Sequence, residues 1–257
     1  MAELNRQTVA GTRTGTAALD EGLRTYMLSV YNYMAAGLAI TGIVAYLVYE
    51  MAVTKDAGSA VATLGKNGIM LTEFGRLVFV SPLKWVLLLA PLGLVFFMSA
   101  RIHKMSVQGA QLTFWIYAAL VGASIASIFL VYTHGSISRV FFITAATFGG
   151  LSLYGYTTSK DLSGWGSFLI MGLIGIVIAS VVNIFVGSTA LQFAVSVIGV
   201  LVFAGLTAYD TQQIKEEYFA GDSQLVAGQK AIMGALRLYL DFLNMFLMLL
   251  SLFGNKE

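Results

Sequence analysis

The sequence predicts an all-α membrane protein of seven transmembrane helices. Of 257 residues, 58% are hydrophobic and only 11% are charged, where soluble domains average about 25% charged. The mean hydropathy is +0.80, and it is concentrated in apolar runs that reach the roughly 20 residues needed to cross a bilayer. A lone strand or loop in lipid leaves its backbone polar groups unpaired, so each run must be a helix.

Residues 1–25 are polar and threonine-rich and are expected to form a cytoplasmic tail rather than a cleaved signal peptide. Residues 26–257 are expected to form one membrane domain, with spans at 27–49, 83–100, 112–132, 138–157, 166–186, 190–213 and 231–253. Stretches such as "AALVGASIAS", "ITAATFGG" and "GLIGIVIAS" let helix backbones approach closely, which is packing chemistry. The connections are short except residues 50–82, which are half apolar and are expected to lie partly in the membrane interface. The chain has no cysteine, so disulfides, thiol chemistry and thiolate metal sites are excluded. There is no phosphate-binding loop, and a net charge of +2 argues for no nucleic-acid partner.

Lys and Arg placement sets the expected orientation. With the N-terminus inside, the inner segments hold Arg6, Arg13, Arg24, Arg101, Lys104, Lys160, Lys215 and Lys230. The outer ones hold Lys55, Lys66, Arg76, Lys84, Arg139 and Lys256. The short loop "SARIHKMSVQG" carries two cations and no acid and falls inside. The N-terminus is therefore expected in the cytoplasm and the C-terminus outside. His103 and His134 fall on opposite sides, lack metal-ligand partners at helical spacing, and read as interfacial residues.

Two acids stand where an acid is costly. Asp210 lies in "GLTAYDTQQIKEEY" and Asp241 in "ALRLYLDFLNMFLMLLSLFG". If span six continues to Tyr218, Asp210 is about 12 Å from its end; if span seven begins near Gln229, Asp241 is about 18 Å in. Asp210 alone can face the headgroups, and Asp241 can pair with Arg237 one turn earlier. Otherwise an intramembrane acid marks a functional site. Two carboxylates in a low-dielectric site cannot both ionise cheaply, and they titrate in two coupled steps. A shared proton ties the helices together, and its removal leaves two anions that favour separation or a cation. Ca²⁺ takes several oxygen ligands, and Thr207, Thr211 and Asn244 are near the acids in sequence.

The segments "LTAYDTQQIK" and "ALRLYLDFLNMFLMLLSLFG", with the seven-span plan, resemble the signature segments of the Bax inhibitor family (transmembrane Bax inhibitor motif proteins). The resemblance covers nearly the whole chain and points to a bacterial member in the inner (plasma) membrane. It implies a pH-sensitive calcium-leak channel, with spans one to six around a central span seven and Asp210 and Asp241 as the pH-sensing gate. The candidate calcium ligands are then Asp210, Asp241, Asn244 and Thr207. Family members also latch the pair with an arginine of span two, where Arg101 is the only basic residue that fits; the same arginine also reads as a plain positive-inside anchor. No tightly bound cofactor is implied. The partners would be calcium ions, protons and the bilayer, with a membrane protease as a candidate protein partner.

Three other readings use the same acids. Presenilin-type intramembrane proteases also carry one Asp in each of two helices, the first as Tyr-Asp, like Tyr209–Asp210. Their Gly-x-Gly-Asp context is here Leu238-Tyr239-Leu240-Asp241, and the only prolines are Pro82 and Pro91, so no Pro-Ala-Leu motif exists and no enzyme is expected. A proton-coupled cation transporter would use the acids as a relay, but no clear internal repeat is present. A non-conducting regulator of membrane proteins is the third.

Overall fold

The computed structural model describes the backbone of residues 2–64 and 68–256, and side chains from Glu21 onward. Lys66, and the side chains of Arg6 and Arg13, lie outside the described residues. Among the described residues, seven helical segments are long and apolar enough to cross a membrane, from Glu21–Ala52 to Gln224–Phe253. They comprise α1 (Ala2–Ala52), α3 (Leu83–Arg101), α4 (Val107–Ile125) with the short α5 (Ile128–Val131), α6 (His134–Thr157), α7 (Ser163–Val186), α8 (Thr189–Glu216) and α9 (Gln224–Phe253).

Most helices begin earlier than hydropathy alone places them, and capping explains why. Ser106, Thr133, Ser188 and Ser223 each accept a hydrogen bond from the backbone N–H of the residue three further on. These caps satisfy orphan donors in first turns that are too polar to register as membrane span. At the other end of α7, Gly187 takes φ +64 and donates its N–H to the Asn183 carbonyl. That left-handed geometry suits glycine and stops the helix.

The connection expected at the interface is more ordered than its composition suggests. Ala62–Leu64 (β1) and Ile69–Leu71 (β2) form an antiparallel hairpin, with Gly68 at φ +64 just before β2. Thr72 N–H donates to the Ala52 carbonyl, and Gly75 of the short α2 (Glu73–Gly75) lies directly on that carbonyl. The hairpin is thereby tied to the end of α1. The C-terminal residues join the same end: Thr133 N–H donates to the Asn255 carbonyl at 3.0 Å. We call this the hairpin end.

α9 is the most buried of the spans. In its most apolar window 56% of residues are buried, against at most 39% in any other span. Its main neighbours are α8, α1, α6 and α4. The second and fifth spans, α3 and α7, pack chiefly on α4 and α8. Span two also reaches α9 through its last turn, Ile102–Lys104. Tyr239, fully buried, bonds Thr41 of α1 at 2.7 Å, and Thr41 in turn donates to the Ala118 carbonyl of α4. With the Thr41 proton on a carbonyl, Tyr239 is the donor between them. This motif tyrosine therefore locks three helices.

Candidate functional site

Glycines bring α8 against its neighbours. A Cβ at Gly155 of α6 would land on the Ala208 carbonyl oxygen, and one at Gly166 of α7 would meet the Tyr209 ring at 2.6 Å. Along α9, Gly234 faces Ile214 and Met248 faces Gly199, so close contacts flank the middle of the α8–α9 crossing. Gly155→Val should drive α6 and α8 apart. The clash is with rigid backbone, and overpacking of this kind costs about 1–3 kcal/mol. A lowered melting temperature in detergent is expected, with Gly150→Val, which meets open space, as the unaffected control.

Between those contacts the two acids meet. Asp241 is 4% exposed, Asp210 is half-buried, and their carboxyl groups are within hydrogen-bond reach of each other. Asp241 Oδ2 is buried and accepts no hydrogen bond from any donor among the described residues. Neither carboxylate can donate when ionised, so a hydrogen bond between them requires one shared proton. Asp210 sits about 9 Å from the end of α8 and Asp241 about 25 Å from the start of α9. They still meet because α9 begins well beyond the end of α8.

The polar groups near the pair differ in what they offer. Thr207, fully buried, donates to the Phe203 carbonyl at 2.8 Å, and Asn244 donates to the Leu240 carbonyl at 2.8 Å. Their oxygens remain free to accept or to ligate. Thr211 links instead to α6 and α1, through Ser152 at 3.0 Å and then Tyr31 at 2.7 Å. Among the described residues no group of three or more His, Asp or Glu gathers as a metal cage. His103 lies exposed in a turn after α3, and His134 stacks among Tyr46, Tyr49 and Phe129 at the hairpin end.

Neither arginine pairs with the acids in this structure. Arg237 does not pair with Asp241: its Nη1 donates to Glu217 Oε1 at 2.7 Å. The long side chain reaches back toward the helix end, where its charge is better solvated. Arg101 is exposed at the end of α3, a helix packed mainly on α4, and forms no ion pair among the described residues. In this arrangement no latch from span two touches the acids. Among the described residues, Arg237 is a cation close enough to act electrostatically on both.

Sequence reasoning missed Glu217, because nothing in the local pattern distinguishes it from the other charges of "QQIKEEY". It begins the α8–α9 loop, which two cations of α9 pin down. Besides the Arg237 pair, Lys230 Nζ donates to the Glu217 carbonyl at 2.9 Å and to Asp222 Oδ2 at 2.6 Å. Tyr26 closes the cluster from α1, its ring 5.5 Å from Tyr218 and its buried hydroxyl without a partner among the described residues. This charged loop lies beyond the acid pair, at the end opposite the hairpin.

Fold and site together define a multi-pass helical membrane protein with a buried carboxyl pair between its last two spans. The family model described as "inhibitor of apoptosis-promoting Bax1" matches residues 23–257. The chain is 46% identical over 238 residues to the inner membrane protein YbhL of Escherichia coli K12, covering 92% of this chain and 94% of that one. It is 43% identical over 246 residues to an uncharacterised protein of Rickettsia prowazekii, covering 96% of each. A protein of Caulobacter vibrioides is 43% identical over 242 residues, 93% of this chain and 92% of that one. The chain belongs to the Bax inhibitor family.

Proposed function

We propose that this protein is a pH-sensitive calcium-leak channel of the inner membrane, gated by the Asp210–Asp241 pair, with no enzymatic activity. The observation that carries this reading is the carboxyl contact itself, two acids on different helices with one buried oxygen left without a donor. With a shared proton the pair clamps α8 to α9. Without it, two anions attract a hard cation. Ca²⁺ takes six to eight oxygens in general, so the two carboxyls and the Thr207 and Asn244 oxygens bind it only with water completing the shell. Such partial ligation suits an ion that must leave again. Calcium and the proton compete for the pair, so calcium binding should strengthen as pH rises. Arg101 stays a candidate latch for another conformation.

Calcium flux into liposomes holding the purified protein, followed from about pH 5 to pH 8, tests the proposal. Flux that varies with pH is expected. A protein that conducts nothing would be a regulator of other membrane proteins, such as a protease. Calcium uptake driven by a proton gradient would make it a transporter.

The proposed orientation, N-terminus cytoplasmic and C-terminus external, rests on the cation bias and has its own test. Ser106 caps α4, so exposed His103 and Val61 are the better positions for cysteines in a chain that has none. An impermeant maleimide added to intact cells should label Val61→Cys and spare His103→Cys. The reverse pattern would invert the molecule.

A further inference from the structure

A second polar site lies at the hairpin end. A cavity of about 470 Å³ opens there between α7, α8 and α9. Ser180, Asn183, Gln192, Ser196 and Ser251 all line it. Ser196, 2% exposed, donates to Ser251 Oγ at 3.1 Å, and Gln192 Nε2 approaches the same oxygen at 3.4 Å. Ile184, Val195, Leu247 and Met248 complete its lining with Gly187, and Ile184 and the neighbouring Phe185 and Phe193 are strongly exposed. Five uncharged polar side chains gathered in one recess of such a surface would be costly to keep dry.

From this cavity a stripe runs to the acids. On α9, Ser251, Met248, Asn244 and Asp241 recur every three or four residues and share one face. On α8 the matching face carries Ser196, Gly199, Phe203, Thr207 and Asp210. The two faces are in contact at Ser196–Ser251, at Gly199–Met248 and at Asp210–Asp241. The stripe is polar at both ends and apolar only where Met248 and the buried Phe203 stand. A Cβ on Gly199 would lie 3.0 Å from Met248 Cγ, so the thioether chain occupies the space that glycine leaves.

We propose that the cavity is the aqueous vestibule by which a hydrated cation reaches the acid pair, and that Met248 seated on Gly199 is its closed constriction. The assignment rests on the channel reading above and adds to it the route and a second barrier. The vestibule holds no charged side chain, so it hydrates ions without selecting them and leaves selection to the acids. Methionine suits a constriction that must yield, since an unbranched side chain changes rotamer easily.

The test uses the cysteine-free chain in liposomes and a cationic, membrane-impermeant methanethiosulfonate reagent at the hairpin side. Ser251→Cys should react readily. Asn244→Cys, beyond the constriction, should react at least ten-fold faster with Met248→Ala than with Met248 or with Met248→Leu, which keeps the bulk and controls for folding. Met248→Ala should also raise resting calcium flux several-fold. A Ser251 cysteine that stays unreactive would show the recess to be filled by lipid and would overturn the proposal. So would equal Asn244→Cys rates in all three backgrounds. Labelling that rises as expected in a protein that conducts no calcium would uphold the route and remove the channel reading. A conducting protein whose flux depends on both acids, but whose labelling ignores Met248, would uphold the channel and remove the route.

Discussion

Asp210→Asn and Asp241→Asn are each expected to flatten the pH dependence of calcium flux and to weaken calcium binding by at least ten-fold. The amide is nearly isosteric with the acid, so the α8–α9 packing set by Gly199 and Gly234 should survive. The charge balance does not survive. With one acid gone, the remaining carboxyl titrates alone, without the like-charge coupling that makes the pair respond as a unit. The cation also loses one formal charge from a site that offers only two. The two variants should behave alike, since the proton and the ion belong to the pair. Flux from about pH 5 to pH 8 and calcium binding by calorimetry are the measurements. If both variants keep the full wild-type pH profile, the shared-proton gate is wrong.

Arg237→Glu is expected to raise resting flux several-fold at the alkaline end of the range, where the pair is ionised even beside an added carboxylate. It sets a second carboxylate against Glu217, and the α8–α9 loop, now held through Lys230 alone, should lift away from the acids. The global cost should be small. Both side chains of the present ion pair are more than a third exposed, and such pairs are worth about 0.2–1 kcal/mol. A large change in flux with a small change in melting temperature separates a cover from a structural prop. The charge swap Glu217→Arg with Arg237→Glu re-forms the pair and should bring resting flux back toward wild type. Unchanged flux in the single variant would show that this loop does not cover the conducting path.

Much of this molecule is local and therefore legible in the sequence by itself. Hydropathy is a property of a short window, so seven spans and their antiparallel alternation could be read directly. The cost of an ion in lipid is likewise local, and it singled out Asp210 and Asp241 before any neighbour was known. Helix starts were read late because a serine or threonine cap and a polar first turn look like loop. The hairpin at 62–71 was overlooked because its strands are only three residues long.

What only the tertiary structure decided is which groups meet. The i, i+4 rule allowed an Arg237–Asp241 pair, but a flexible cation goes to whichever carboxylate costs least to reach, and that was Glu217 on another element. Arg101 fitted a latch by position along the chain, yet α3 packs outside α4 and leaves it exposed. The packing of α8 on α6 and the stripe from Ser251 to Asp241 depend on contacts such as Gly155 on Ala208 and Gly199 on Met248. A glycine advertises that something can come close without saying what. The partner is chosen by how all the helices pack at once, which no single segment encodes.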